Sequence, residues 1–82
     1  FYARPISNPS RETATIEFSL RNRGDVNLRI YDLTGRLIAE PINRTMDAGI
    51  HRINWNGNTS GIYFYRLRAG KDTATGKIIL VK

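Results

Sequence analysis

His51 is the only histidine in the chain. A metal site or a nucleophile–base pair needs partners at motif spacing, and none flanks it. It falls in phase with Ile53 and Trp55, which reads as a structural histidine packed at or near the rim of a core. Seven carboxylates are present. Glycoside hydrolysis sets two of them across a cleft about 5–10 Å wide. Glu12 with Glu17, and Asp25 with Asp32, are the candidate pairs, and nothing in the surrounding sequence desolvates one member to perturb its pKa. Gly57, Gly61 and Gly70 are not followed by a helix that supplies amides and a dipole, so they read as turn glycines rather than a phosphate cradle. With no cysteine there is no thiolate nucleophile, disulfide framework or cysteine-ligated zinc. The expectation is a non-catalytic chain with no cofactor and no metal.

Binding chemistry is the remaining possibility. Trp55 suits a sugar-stacking platform if exposed, or a core anchor if buried; its phase with Ile53 favours the core. Tyr63, Phe64 and Tyr65 interleaved with Arg66 and Arg68 resemble a base-stacking surface. Strand alternation puts Tyr63 and Tyr65 opposite Phe64, so at most one set is exposed. A tyrosine in a late strand also serves as a corner clamp, its hydroxyl bonded to backbone. The structural reading is preferred, and no nucleic-acid partner is expected. The net charge is +6, from ten arginines and three lysines against seven acids. These bases are scattered rather than clustered, Arg66, Arg68, Lys71 and Lys77 coming nearest to a patch; an acidic partner or a merely solvated surface both fit. Asn43-Arg44-Thr45 and Asn58-Thr59-Ser60 match the N-glycosylation acceptor pattern, which carries weight only in a eukaryotic secretory setting; Asn8-Pro9-Ser10 is excluded by its proline.

The elements that must position these residues have a period of two. Ala14, Ile16, Phe18 and Leu20 alternate with Thr15, Glu17 and Ser19; Val26, Leu28 and Ile30 alternate with Asn27, Arg29 and Tyr31. His51, Ile53 and Trp55, then Tyr63, Tyr65 and Leu67, repeat the pattern. Ile78 to Val81 is a short apolar run suited to a last strand, and Leu37 to Ala39 a weaker one. Residues 1–12 read as a first edge strand and its turn. No segment carries a sustained helical stripe, and none approaches the roughly 20 apolar residues of a membrane span. Turn chemistry separates the runs: Asn22-Arg23-Gly24-Asp25, Asp32-Leu33-Thr34-Gly35, Ala48-Gly49, Asn56 to Gly61, and Ala69-Gly70-Lys71-Asp72. Pro5, Pro9 and Pro41 fall outside the expected central strands. An 82-residue chain holds one modest core, burying roughly 60–65% of its unfolded surface. The expected fold is an all-β, immunoglobulin-like antiparallel β-sandwich of about seven strands, residues 1–82 forming one domain.

Several segments, read in order, resemble one family. Asn8-Pro9-Ser10 with Thr15 to Leu20 resembles its opening motif. Val26-Asn27-Leu28-Arg29-Ile30-Tyr31-Asp32 through Leu37 resembles its "V.L.IYD..GR.V" hairpin. Ala48-Gly49-Ile50-His51-Arg52-Ile53-Asn54-Trp55-Asn56-Gly57 resembles "AG.H.V.WDG", Ser60 to Leu67 resembles "SGIYFYRL", and Lys77 to Lys82 resembles the closing "K.VL.K". This is the pattern of the type IX secretion system type A C-terminal sorting domains, to which flagellar hook-cap immunoglobulin-like domains are similar. The "WDG" aspartate is Asn56 here, and the Trp55–Gly61 loop is shorter than in hook-cap-like members.

The resemblance implies a seven-stranded sandwich at the C-terminal end of a larger secreted bacterial protein, carried through the periplasm and out to the medium or cell surface. It implies outer-membrane translocation and shuttle proteins as partners, a sortase-like protease that removes the domain, an upstream cargo domain, and anionic lipopolysaccharide as the cargo's anchor. The recognition role it carries over falls on Gly61, Tyr63, Leu67 and Gly70 in the penultimate hairpin and on Lys77, Ile78, Ile79, Leu80, Val81 and Lys82 in the last strand. A terminal edge strand presents unpaired backbone groups that a partner reads by strand addition, and Lys77 and Lys82 discourage unwanted pairing. On this reading the last strand is required for sorting even where the fold tolerates its loss. The alternative reading is a non-catalytic carbohydrate-binding or adhesive module of a secreted enzyme, which requires an exposed aromatic strip.

Overall fold

The alternating runs become eight strands: β1 (Tyr2–Pro5), β2 (Ser10–Arg11), β3 (Thr13–Leu20), β4 (Gly24–Tyr31), β5 (Leu37–Met46), β6 (Gly49–Asn56), β7 (Gly61–Ala69) and β8 (Asp72–Val81). The computed structural model describes residues 1–7, 9–57 and 59–82, with the backbone but not the side chain of Ser10. The Asn8 of the opening motif and the acceptor asparagine at position 58 therefore lie outside the described residues. Seven strands of four residues or more form two antiparallel sheets, and β2 adds a two-residue parallel pairing.

One sheet runs β1-β3-β6 and the other β2-β8-β7-β4-β5. The space between them is filled by the inward face of each alternating run. Ala14, Ile16, Phe18 and Leu20 from β3 meet Val26, Leu28 and Ile30 from β4, Tyr63, Tyr65 and Leu67 from β7, and Ile78 and Leu80 from β8. Half-buried Ile53 and Trp55 close the β6 side. Alternation selects this register because a one-residue slip would turn every one of these side chains to water.

Three turns follow their sequence chemistry. The Asp32 carboxylate accepts from the amides of Thr34 (2.9 Å) and Arg36 (3.0 Å), building the β4–β5 turn. Gly70 takes positive φ in the two-residue β7–β8 connection, where Ala69 pairs with Asp72, the pattern of a type II′ hairpin. Tyr63 is the corner clamp: its hydroxyl donates to the Thr59 carbonyl at 2.7 Å, four residues upstream.

One expectation changes. The run from Leu37 is not a weak three-residue strand but the start of a ten-residue edge strand. It passes through Pro41, which as an edge-strand residue still lies outside the central strands. The register explains why the proline is tolerated. Leu28 pairs with Ile42 and Ile30 with Ala39, so Glu40 and Pro41 together face Arg29 across a bulge. Pro5 likewise lies within β1, an edge strand of the other sheet.

Candidate functional site

The ten residues assigned to recognition lie on the β7–β8 hairpin and its C-terminal end, and alternation sorts them. Tyr63, Leu67, Ile78 and Leu80 point inward and are buried. Gly61 is half-buried and pairs with Leu80. Gly70, Lys77, Val81 and Lys82 are exposed, and Ile79 is half-buried on the outward face. The hairpin brings Gly61, Tyr63, Ile78 and Leu80 together at one end of the sandwich and leaves Leu67 and Gly70 at the other, so the set is not one site. A folded partner can reach only the outward members.

The last strand is also not an entirely open margin. β2 pairs with it in parallel, Ser10 against Leu80 and Arg11 against Val81, and the Glu12 amide donates to the Val81 carbonyl at 2.9 Å. Glu12 takes φ of +63°, a left-handed conformation that a residue with a Cβ adopts at a cost, to turn the chain from this strap into β3. The Lys82 amide is held by Ser60 Oγ at 2.8 Å. On its outer side, away from β7, β8 has no described strand paired with it from Asp72 to Ile79. Ile78 and Leu80 are core residues, so deleting β8 would remove part of the core packing along with any recognition surface.

Gly57, read as a turn glycine, proves to be a space-maker. A Cβ on Gly57 would lie 2.5 Å from Leu80 Cδ2 and 2.9 Å from Trp55 Cη2. Thus the Trp-Asn-Gly segment seats its glycine on the last strand. Trp55 is half-buried and meets the Tyr63 ring edge-on at 4.9 Å, so it is a core-rim residue and not an open platform. Asn56 Oδ1 accepts a hydrogen bond from Thr13 Oγ1, a role an aspartate fills equally well.

Among the carboxylates, Glu17 departs from expectation. It lies on the outer face of the three-stranded sheet, yet is only 6% exposed. Register places Arg4 and Arg52 on either side of it, and both bind it, at 3.0 Å each. The Tyr2 hydroxyl adds a third donor at 2.9 Å. Bonds from Arg4, then Tyr2, then Arg52 hold the Glu17 carboxyl below the ordinary carboxylate range, and the same bond to Glu17 raises the Tyr2 phenol. This is a carboxylate fixed in its charged form, the reverse of a general acid. Glu40 is similarly held down by Asn27 and Arg29, and Asp32 by the Thr34 hydroxyl and the Arg36 amide. His51 stacks on Phe18 at 5.4 Å, and its Nε2 lies 2.7 Å from the Asp47 carbonyl, the structural role its phase implies. No group of three potential ligands converges on a metal position among the described residues.

The sequence missed one surface. On the outer face of the five-stranded sheet, Phe64 pairs with Tyr31 and Lys77, and Arg66 with Arg29 and Thr75. Of the basic quartet, Arg66, Arg68 and Lys77 share this face, while Lys71 is in the turn. The β4 alternation already marked Arg29 and Tyr31 as outward; only the β4–β7 pairing puts them beside Phe64 and Arg66.

A family model described as the secretion system C-terminal sorting domain matches residues 7–82. No curated protein matches the chain. The family gives no support to the carbohydrate-binding alternative.

Proposed function

The chain belongs to the C-terminal sorting domains of the type IX secretion system, which direct proteins to the cell surface or medium, and on that premise we propose that the outward half of its last strand is the part the export machinery reads. The observation that carries this is the division of labour along β8. Ile78 and Leu80 lock the strand into the core, while Ile79 and Val81 present alternate apolar side chains outward, with Lys77 and Lys82 at either end. A partner strand that displaces the two-residue β2 strap gains the backbone groups at Leu80 and Val81, and alternate side chains supply specificity. The carriers are outer-membrane translocation and shuttle proteins. The domain ends a larger parent, a sortase-like protease removes it, and the cargo remains on anionic lipopolysaccharide or is released. Residues 1–82 contribute no catalysis.

The test is secretion of a signal-peptide-bearing fluorescent reporter with residues 1–82 at its C-terminus, in a bacterium that has the type IX apparatus. Deleting Lys77–Lys82 confounds recognition with unfolding, so Ile79→Ser with Val81→Ser is the informative variant. Export of the native fusion and periplasmic retention of the folded double variant are expected. Equal export of both removes these side chains from recognition; retention of both removes the sorting role.

A further inference from the structure

The broad outer face of the five-stranded sheet carries a second feature, centred on β4 and β7 and adjoining the outward residues of β8. Ile62 and Phe64, each 40% exposed, continue through their cross-strand neighbours Ile79 and Tyr31 into an apolar strip that reaches Val81, 43% exposed. Beside it lie Arg66, Arg68, Arg29 and Lys77, against two acids on this face: Glu40, engaged by Arg29 and Asn27, and Asp25, bonded by Thr45. The face is therefore apolar with an excess of positive charge.

At the junction of the two parts is a hollow of about 400 Å³ bounded by Tyr31, Phe64, Arg66, Thr75 and Lys77. Arg66 packs its guanidinium 5.7 Å from the centre of the Tyr31 ring. Its Nε is buried and has no hydrogen-bond acceptor. A buried donor on a charged group left without an acceptor is costly, and a guanidinium pairs strongly with a carboxylate through its terminal N–H groups. An apolar side chain fits over Phe64 while an adjacent carboxylate reaches Arg66 and the Lys77 ammonium.

We infer that this face is a docking surface for an acidic polypeptide segment, with a partner carboxylate at Arg66 and an apolar side chain of that partner on Phe64. The inference goes beyond the reading of β8, because neither Phe64 nor Arg66 belongs to the last strand. It does not depend on strap displacement.

The test is an NMR titration of the isotopically labelled 82-residue chain with a short peptide in which two glutamates flank a leucine, beside the matched peptide with glutamines and the one with lysines. Saturable binding of the glutamate peptide is expected, with shifts confined to the Phe64, Arg66, Thr75 and Lys77 amides and the Arg66 Nε–H. Arg66→Gln is expected to weaken it about tenfold, the scale of one charge-assisted hydrogen bond, while Arg66→Lys recovers part of that loss. Phe64→Ser weakens it independently. Unchanged thermal melting of Arg66→Gln separates lost docking from lost folding. Equal binding of the glutamine peptide overturns the carboxylate assignment. Stronger binding of an oligonucleotide or of phosphatidylglycerol vesicles assigns the face to phosphates and overturns the polypeptide reading. Absence of saturable binding by the glutamate peptide overturns it outright.

Discussion

Tyr65 and Gly76 are cross-strand partners in which one residue supplies the side chain and the other the space. A Cβ on Gly76 would lie 2.5 Å from ring atoms Cε2 and Cζ of Tyr65. The ring passes over the glycine, and its hydroxyl donates to the Ala3 carbonyl of β1 at 3.2 Å. One phenol thereby ties the five-stranded sheet to the edge of the three-stranded one.

Gly76→Ala should therefore destabilise the domain by roughly 1–3 kcal/mol, the cost of overpacking a filled site. Tyr65→Phe should cost about 1 kcal/mol for the lost bond to Ala3. Adding Tyr65→Phe to Gly76→Ala should bring at most partial recovery, because it removes the hydroxyl, the nearest atom, but leaves the ring carbons in the way. Chemical denaturation of the two single variants and the double variant measures all three.

Gly57→Ala should be comparably harmful, by roughly 1–3 kcal/mol, because its methyl enters the space of Leu80 and Trp55. Asn56→Asp, next to it, should be close to neutral at pH 7, since a carboxylate also accepts from Thr13. Thermal melting of both variants separates a steric requirement from a chemical one.

Removal of the Tyr63 hydroxyl by Tyr63→Phe should lower stability by about 0.5–1.5 kcal/mol, the net worth of one hydrogen bond. The effect should appear as faster amide exchange in the loop that ends at Ser60, where the Thr59 carbonyl loses its donor.

Acid should weaken the fold through Glu17. Its carboxyl sits below its ordinary value of 4.5 because of Arg4, Tyr2 and Arg52. The folded state thus binds the proton less readily than the unfolded state. The stability this gives is present above about pH 4.5 and is lost as pH falls through the depressed folded-state value. Glu17→Gln should flatten the acid limb of a stability-versus-pH curve, leaving the share that comes from Glu40 and Asp32, whose carboxyls are depressed in the same direction.

Much of the fold was legible because period-two alternation reports burial residue by residue. Every inward position read from β3, β4 and β7 is buried. What alternation does not report is which strand lies beside which. The Arg4–Glu17–Arg52 row depends on β1 and β6 flanking β3, and the Phe64–Tyr31 pair on β4 flanking β7. Strand length was underread where the pattern is polar: β8 begins at Asp72, well before its apolar run, and β5 continues through Pro41. Gly57 and Gly76 carry no sequence mark that distinguishes a close approach from an ordinary turn or strand position. The residues of the candidate site were legible as a hairpin, whereas their separation into buried and reachable members required the register.

The bulged β5 margin also governs how copies of the domain associate. A filament built by sheet extension needs a receptive margin on both sides of the sheet, so that each copy accepts one neighbour and offers itself to another. Here one side lacks an amide at Pro41 and is bent by two register shifts, while the other is free of a flanking strand only along part of β8. Neither margin of this sheet therefore offers a regular template along its whole length for edge-to-edge pairing with another copy.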